Sequence, residues 1–190
     1  MYQTILSNAS LCRLLLKLDE DLAAEARKRR CSCGGRLHSA RYRRKPRGVP
    51  EELQKEYSSR HSFCCDQEGC RKRTTPPSFR FLSRRVYVGG MVILLTALRH
   101  GVTPKRMAEL REIVGVSRRT VERWRTWWLE DFVRSPFWIS KRGFWATPVD
   151  IRTLPLSLLE SFRRPTEEEK IVALLHFILP LTTTCALQGT

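Results

Sequence analysis

FCCDQEGCRKRTTPP, residues 63–77, sets three cysteines within seven positions, then a basic run, then two prolines. The whole chain of 190 residues holds only seven cysteines, so their concentration here asks for a chemical reason. A counterpart stands upstream in RRCSCGGRL, residues 29–37. Cys31 and Cys33 form a tight turn whose following Gly34 and Gly35 allow the backbone amides to point at the sulfurs. The second pair comes from Cys64, Cys65 and Cys70. Side chains alternate along a ribbon strand, and Phe63 lies two residues before Cys65, which favours Cys65 with Cys70 and turns Cys64 to the opposite face. Cys64 stays as the alternate. The set Cys31, Cys33, Cys65, Cys70 is predicted to be a closed four-thiolate site for structural Zn2+, with no open position for a catalytic water. His38 and His61 are substitute ligands or ribbon-surface groups. Cys12 and Cys185 read as ordinary apolar residues.

Outward from the cysteines, the composition shifts twice. Leu11, Leu14, Leu15, Leu18 and Leu22 recur with helical spacing and predict an amphipathic helix within residues 1–30. Residues 31–81 turn to Gly, Pro and Arg, and are expected to be a small β ribbon whose folding depends on the metal. Within it Arg41, Arg43, Arg44, Lys45 and Arg47, flanked by Pro46 and Gly48, predict an exposed basic arm without a fixed frame. Arg71, Lys72 and Arg73 extend the basic surface. The prolines of PPSFRF lead out of the ribbon in extended form.

Residues 86–134 are expected to be a three-helix unit of helix-turn-helix type. Tyr87, Met91, Leu94, Leu95 and Leu98 stripe a helix over 86–100 that Gly101 stops. Thr103 and Pro104 open a second helix to 114, and Gly115 ends it. Ser117 caps a third, reaching 134. Leu110, Val114, Val116, Val121 and Trp124 would close its core, with Trp127 and Trp128 also packing. Arg118, Arg119, Thr120, Glu122, Arg123 and Thr126 would form the recognition surface, because an arginine fork can bond guanine acceptors or clamp phosphate. Residues 135–190 hold an aromatic and basic connector, FWISKRGFWATP, and helices over 156–163 and 167–179, the latter opened by Thr166 and its following glutamates. These helices would pack on the helix-turn-helix or form a dimer interface.

The fold class expected is therefore mainly α with a small β zinc ribbon. Lys and Arg number 35 against 19 Asp and Glu, giving +16 and a pI near 10.3; nucleic acid is the expected partner. No membrane span or secretory signal is expected, and a reducing, cytoplasmic and nucleoid-associated setting suits paired thiolates. Neither a Ser/His/Asp nor a Cys/His arrangement is evident, so no enzyme is expected.

C-x-C-G-G at 31–35, the returning ribbon FCCDQEGCRKRTTPP and GVSRRTVERW at 115–124 together resemble the zinc-ribbon plus helix-turn-helix DNA-binding portion of insertion-sequence transposases and their accessory proteins. The resemblance spans roughly residues 30–134. It implies double-stranded DNA as partner, with a second copy or a separate transposase subunit as further partners, Cys31, Cys33, Cys65 and Cys70 as zinc ligands, and Arg118, Arg119 and Arg123 as base or phosphate contacts. It departs from the family at Arg111, where a small residue is usual. The ribonuclease-H-like nuclease domain of that family is not expected here: the residues after the third helix carry Asp150 and a helix-capping glutamate cluster, and Asp131 lies within the third helix itself. Binding to protein alone, or to RNA, are the alternative functions.

Overall fold

The computed structural model describes residues 8–82, 89, 108, 111 and 116–183. Helix α1 (Ala9–Lys28) starts at Asn8, whose Oδ1 accepts the Leu11 N–H at 3.1 Å, and ends with Arg27 and Lys28 beside its carbonyl end. Its leucine stripe faces inward as predicted except for Leu14, which is 47% exposed at the stripe's edge. The most buried row is Leu11, Leu15, Asp19 and Ala23, so a carboxylate sits inside an apolar face.

Strands β1 (Leu37–Ser39), β4 (Phe63–Cys65) and β5 (Arg73–Thr74) make a three-stranded antiparallel sheet in the order β1-β4-β5. Strands β2 (Tyr42–Arg43) and β3 (Ser59–Arg60) make a separate antiparallel pair, with short helix α2 (Gln54–Tyr57) between them in sequence. Register sets Leu37 opposite Cys65 and His38 opposite Cys64, and Cys64 in turn opposite Arg73.

The basic segment therefore differs from the frameless arm expected. Tyr42 and Arg43 pair with Arg60 and Ser59, the Arg44 N–H donates to Ser58 O, and the Arg44 guanidinium lies 5.1 Å from the Tyr42 ring and 5.6 Å from the Phe81 ring. Pairing of Tyr42–Arg43 with β3 wins over the local Pro and Gly signals, and exposure alternates along the segment: Arg41, Arg43, Lys45 and Arg47 are exposed, and Tyr42, Arg44 and Pro46 are half-buried between them.

Behind the ribbon runs the stretch Ser78–Leu82, buried throughout. Asp19 of α1 accepts from Arg80 Nε at 2.7 Å, Ser78 Oγ at 2.6 Å and the Phe79 N–H at 2.6 Å. Arg80 Nη1 also donates to Glu56 O, and the Arg60 guanidinium reaches Thr182 O at 2.8 Å and Pro76 O at 3.3 Å. Tyr57, fully buried, donates to Cys12 O at 2.7 Å. Buried ions demand such partners, since an unpartnered one costs several kcal/mol.

In the C-terminal half, α3 (Arg118–Thr126) is capped by Ser117, as predicted, and runs through a π-helical stretch (Trp127–Phe132) to residue 134. The connector is more ordered than its composition suggested. Ser135 caps α4 (Pro136–Lys141), and Trp138 is buried among Phe132 and Trp145 at ring centroid distances of 5.2 and 5.8 Å. Helix α5 (Leu156–Ser161) and helix α6 (Glu167–Phe177) follow, the latter capped by Thr166 accepting the Glu169 N–H at 3.2 Å. Val116, Val121, Trp124 and Trp128 share one core with Leu11 and Leu15 of α1, Leu158 and Leu159 of α5, and Ile171 and Leu174 of α6. The C-terminal helices thus pack on α3. The expected helices over 86–100 and 103–114, with Leu110, Val114 and the Gly115 turn, lie outside the described residues, apart from Gly89, Ala108 and Arg111, which are helical. Among the described residues no helix is long and apolar enough to cross a membrane.

Candidate metal centre and basic surface

The cysteine turn at 31–35 is built by two backbone bonds, Cys31 N–H to Gly35 O at 3.0 Å and Gly34 N–H to Cys31 O at 2.9 Å. The two glycines do different things. Gly34 takes φ +86°, a left-handed conformation that a side chain would disfavour. Gly35 is needed for room: a Cβ there would lie 2.5 Å from Cys65 Sγ and 3.0 Å from Asp66 Oδ1. On the second knuckle Gly69 has φ +84° and Arg71 φ +43°, which turns the chain from Cys70 into β5.

Together the two knuckles bring four sulfurs, of Cys31, Cys33, Cys65 and Cys70, within 4.8 Å of one another. Cys31 and Cys70 are 3.7 Å apart and Cys33 and Cys65 3.5 Å. These separations are far too long for disulfides, and all the cysteines among the described residues are free. They are close to the roughly 3.8 Å expected between thiolates placed tetrahedrally at about 2.3 Å from a metal ion. The four residues could hold a metal ion. Strand alternation makes the choice that sequence reading favoured: Cys65 faces the site and is buried, while Cys64 turns outward, its thiol 3.4 Å from Arg71 O.

Hydrogen bonding suits anionic sulfur. The amide two residues further on points at each of three sulfurs, from Cys33 to Cys31, Gln67 to Cys65 and Lys72 to Cys70. The Cys33 amide, helped by the neighbouring thiols, lowers Cys31 to about 6. Burial pushes Cys65 up to about 12. With four sulfurs crowded together, one gives up its proton readily and another resists, until a cation supplies the compensating charge.

Sequence reading missed the brace outside the sulfurs. Asp66 Oδ1 accepts the Arg36 N–H at 2.8 Å and Oδ2 stands 3.4 Å from His38 Nε2, joining the two knuckles. Desolvation, the largest single influence, pushes the Asp66 carboxyl up, but His38 and the Arg36 amide together outweigh it and hold the group below its usual range. His38 thus faces Asp66 and is not among the four residues that could hold a metal ion; the only signal in the sequence was an Asp directly after Cys65. His61 is half-buried, and burial together with Arg80 and Arg41 keeps its imidazole below its usual range.

On α3, Arg118, Arg119, Glu122, Arg123 and Thr126 are exposed on the side away from Val121 and Trp124, and Thr120 is half-buried with Oγ1 2.9 Å from Ser117 Oγ. Arg118 Nε bonds Glu122 at 2.7 Å, an exposed pair one helical turn apart. Arg71, Lys72 and Arg73 are exposed on the ribbon.

Charge is unevenly shared between these surfaces. Residues 27–82 carry sixteen Lys and Arg against five Asp and Glu, with no acid at all over residues 26–50, whereas residues 116–183 carry eleven against eight. The chain matches no family model, no curated protein and no solved structure.

Proposed function

We propose that this protein binds double-stranded DNA, that a structural zinc ion held by Cys31, Cys33, Cys65 and Cys70 stiffens the ribbon, and that it belongs to the machinery of a mobile element or descends from it. The observation that carries the reading is the concentration of positive charge on the ribbon that the four-sulfur site braces. Such a surface neutralises phosphates whatever the sequence. The exposed arginines of α3 are the candidate base readers, because they stand in a row on a capped helix whose other face is buried. The four sulfurs fit zinc by softness and by closure of the site, and leave the ion no position for a substrate; the protein contributes binding, not bond cleavage.

Selection of bound fragments from random duplex DNA tests the proposal. A recovered motif is expected, and Arg119→Ala should then cost roughly 1–3 kcal/mol on that motif and little on random duplex. Recovery of unrelated sequences with equal affinity would remove the specific reading. A structured RNA of equal length bound more tightly at every salt concentration would transfer the function to RNA. Absence of any salt-dependent binding to either would leave a protein-binding role.

A further inference from the structure

The segment 41–47 combines three observations: a short strand, Tyr42–Arg43, paired with β3, exposure that alternates from 41 to 47, and a cation at every exposed position. Backbone bonds from Ala40 to Ser62 and from Arg44 to Ser58 flank this strand, and strand rise puts Arg41 and Arg43 roughly 6.7 Å apart. That is comparable to the separation of successive phosphates along one nucleic-acid strand. Flexible basic arms meet phosphates by wandering among them; here the spacing is fixed before contact, by pairing of Tyr42 and Arg43 with β3 and by seating of Arg44 against Tyr42 and Phe81. Arg41, Arg43 and Lys45 are exposed, and no hydrogen bond or ion pair holds their side chains among the described residues. They lose little entropy-costly structure on binding, since the backbone beneath them is already ordered.

We infer that Arg41, Arg43 and Lys45 form a cation row that tracks the phosphate backbone of one strand of duplex DNA, in register, with Arg47 continuing it. The inference rests on the duplex-binding reading above and goes further by assigning the contact to spacing and not to net charge. A row of this kind recognises the backbone without reading bases, so it should act equally on every sequence.

The test separates spacing from charge. Arg41→Gln, Arg43→Gln and Lys45→Gln together should lower the slope of log affinity against log salt by about 2.7 units on a random-sequence duplex, the figure for three phosphate contacts. The second variant adds Gln54→Lys, Ser140→Lys and Thr147→Lys to that triple, all at exposed positions, and returns the net charge to +16. It should leave the slope at the reduced value. Unchanged melting temperatures would show both variants folded, as expected from six exposed sites. A slope restored by the relocated charges would overturn the row, leaving only net charge; so would a triple variant with the wild-type slope. Failure of the wild-type protein to bind duplex DNA at all would instead remove the functional reading itself.

Discussion

At the scale of single residues, the four-cysteine site turns on a few atoms whose roles differ sharply between neighbours. Cys64 and Cys65 are adjacent in sequence and opposite in direction. Cys65→Ser is expected to abolish stoichiometric metal binding and Cys64→Ser to preserve it, as measured by elemental analysis of the purified variants; the reverse pattern would reassign the ligand. Gly35 has no chemistry of its own, yet a methyl there would occupy space taken by Cys65 Sγ and Asp66 Oδ1. Gly35→Ala should therefore lose the metal as completely as a ligand substitution, while Gly34→Ala, strained by its backbone angle alone, should weaken and not abolish it. Asp66→Ala removes the brace between the knuckles and should lower metal affinity by about 10- to 100-fold, the range for partners just outside a ligand set. Competition with a chromophoric chelator reads these affinities directly.

Elements show where local pattern was enough and where it was not. Helices α1, α3 and α6 were legible, α1 through its apolar spacing alone and α3 and α6 also through the caps Ser117 and Thr166, whereas the Asn8 cap of α1 went unread. Ser117→Ala should cost about 1 kcal/mol of stability through loss of the bond to the Thr120 N–H. The cysteine knuckles were legible through alternation about Phe63. The frame of residues 41–47 was hidden, because the β2 strand is two residues long and draws its order from the distant partners Ser59, Arg60 and Phe81. Hidden too was the Asp19–Arg80 pair, in which two polar residues, four helical steps from Leu15 in one case and between two phenylalanines in the other, occupy apolar positions. That interruption of an apolar row was the available signal, and its partner sixty-one residues away was not available from local spacing. Both side chains are almost wholly enclosed. Asp19→Asn should destabilise by about 3–5 kcal/mol, since it leaves the Arg80 charge buried without its counter-ion. Asp19→Leu combined with Arg80→Met should recover most of that loss in urea unfolding; a double variant as unstable as the single one would show that the hydrogen bonds to Ser78 and Phe79 carry the stability.

Across the whole molecule, α1 is shared. Its leucines enter the helical core, Cys12 joins Leu53, Tyr57 and Phe81, and Ala23 joins the ribbon residues Cys31, Leu37, Phe63 and Cys65. The last group is small, and two of its five buried members are sulfur donors, so it has little apolar area to hold it without a metal. The segments around Tyr57, Arg60 and Arg80 are anchored otherwise, by Asp19, Cys12 O and Thr182 O, none of which touches the sulfurs. Metal dependence should therefore divide the ribbon instead of governing all of residues 31–81. Hydrogen exchange after chelation is expected to show loss of amide protection over residues 31–39 and 63–74, with protection kept over 53–60 and 78–82 and along α1 and α6. Because β2 pairs with β3 on the anchored side, the metal-free protein should keep the cation row at 41–47 while losing the fixed placement of Arg71, Lys72 and Arg73. On the duplex-binding proposal, its affinity for random duplex should then fall, but the salt dependence assigned to Arg41, Arg43 and Lys45 should survive. Simultaneous loss of protection over 53–60 would mean that the metal organises both sheets, and unchanged protection over 31–39 would mean that the four sulfurs do not depend on an ion to stay together.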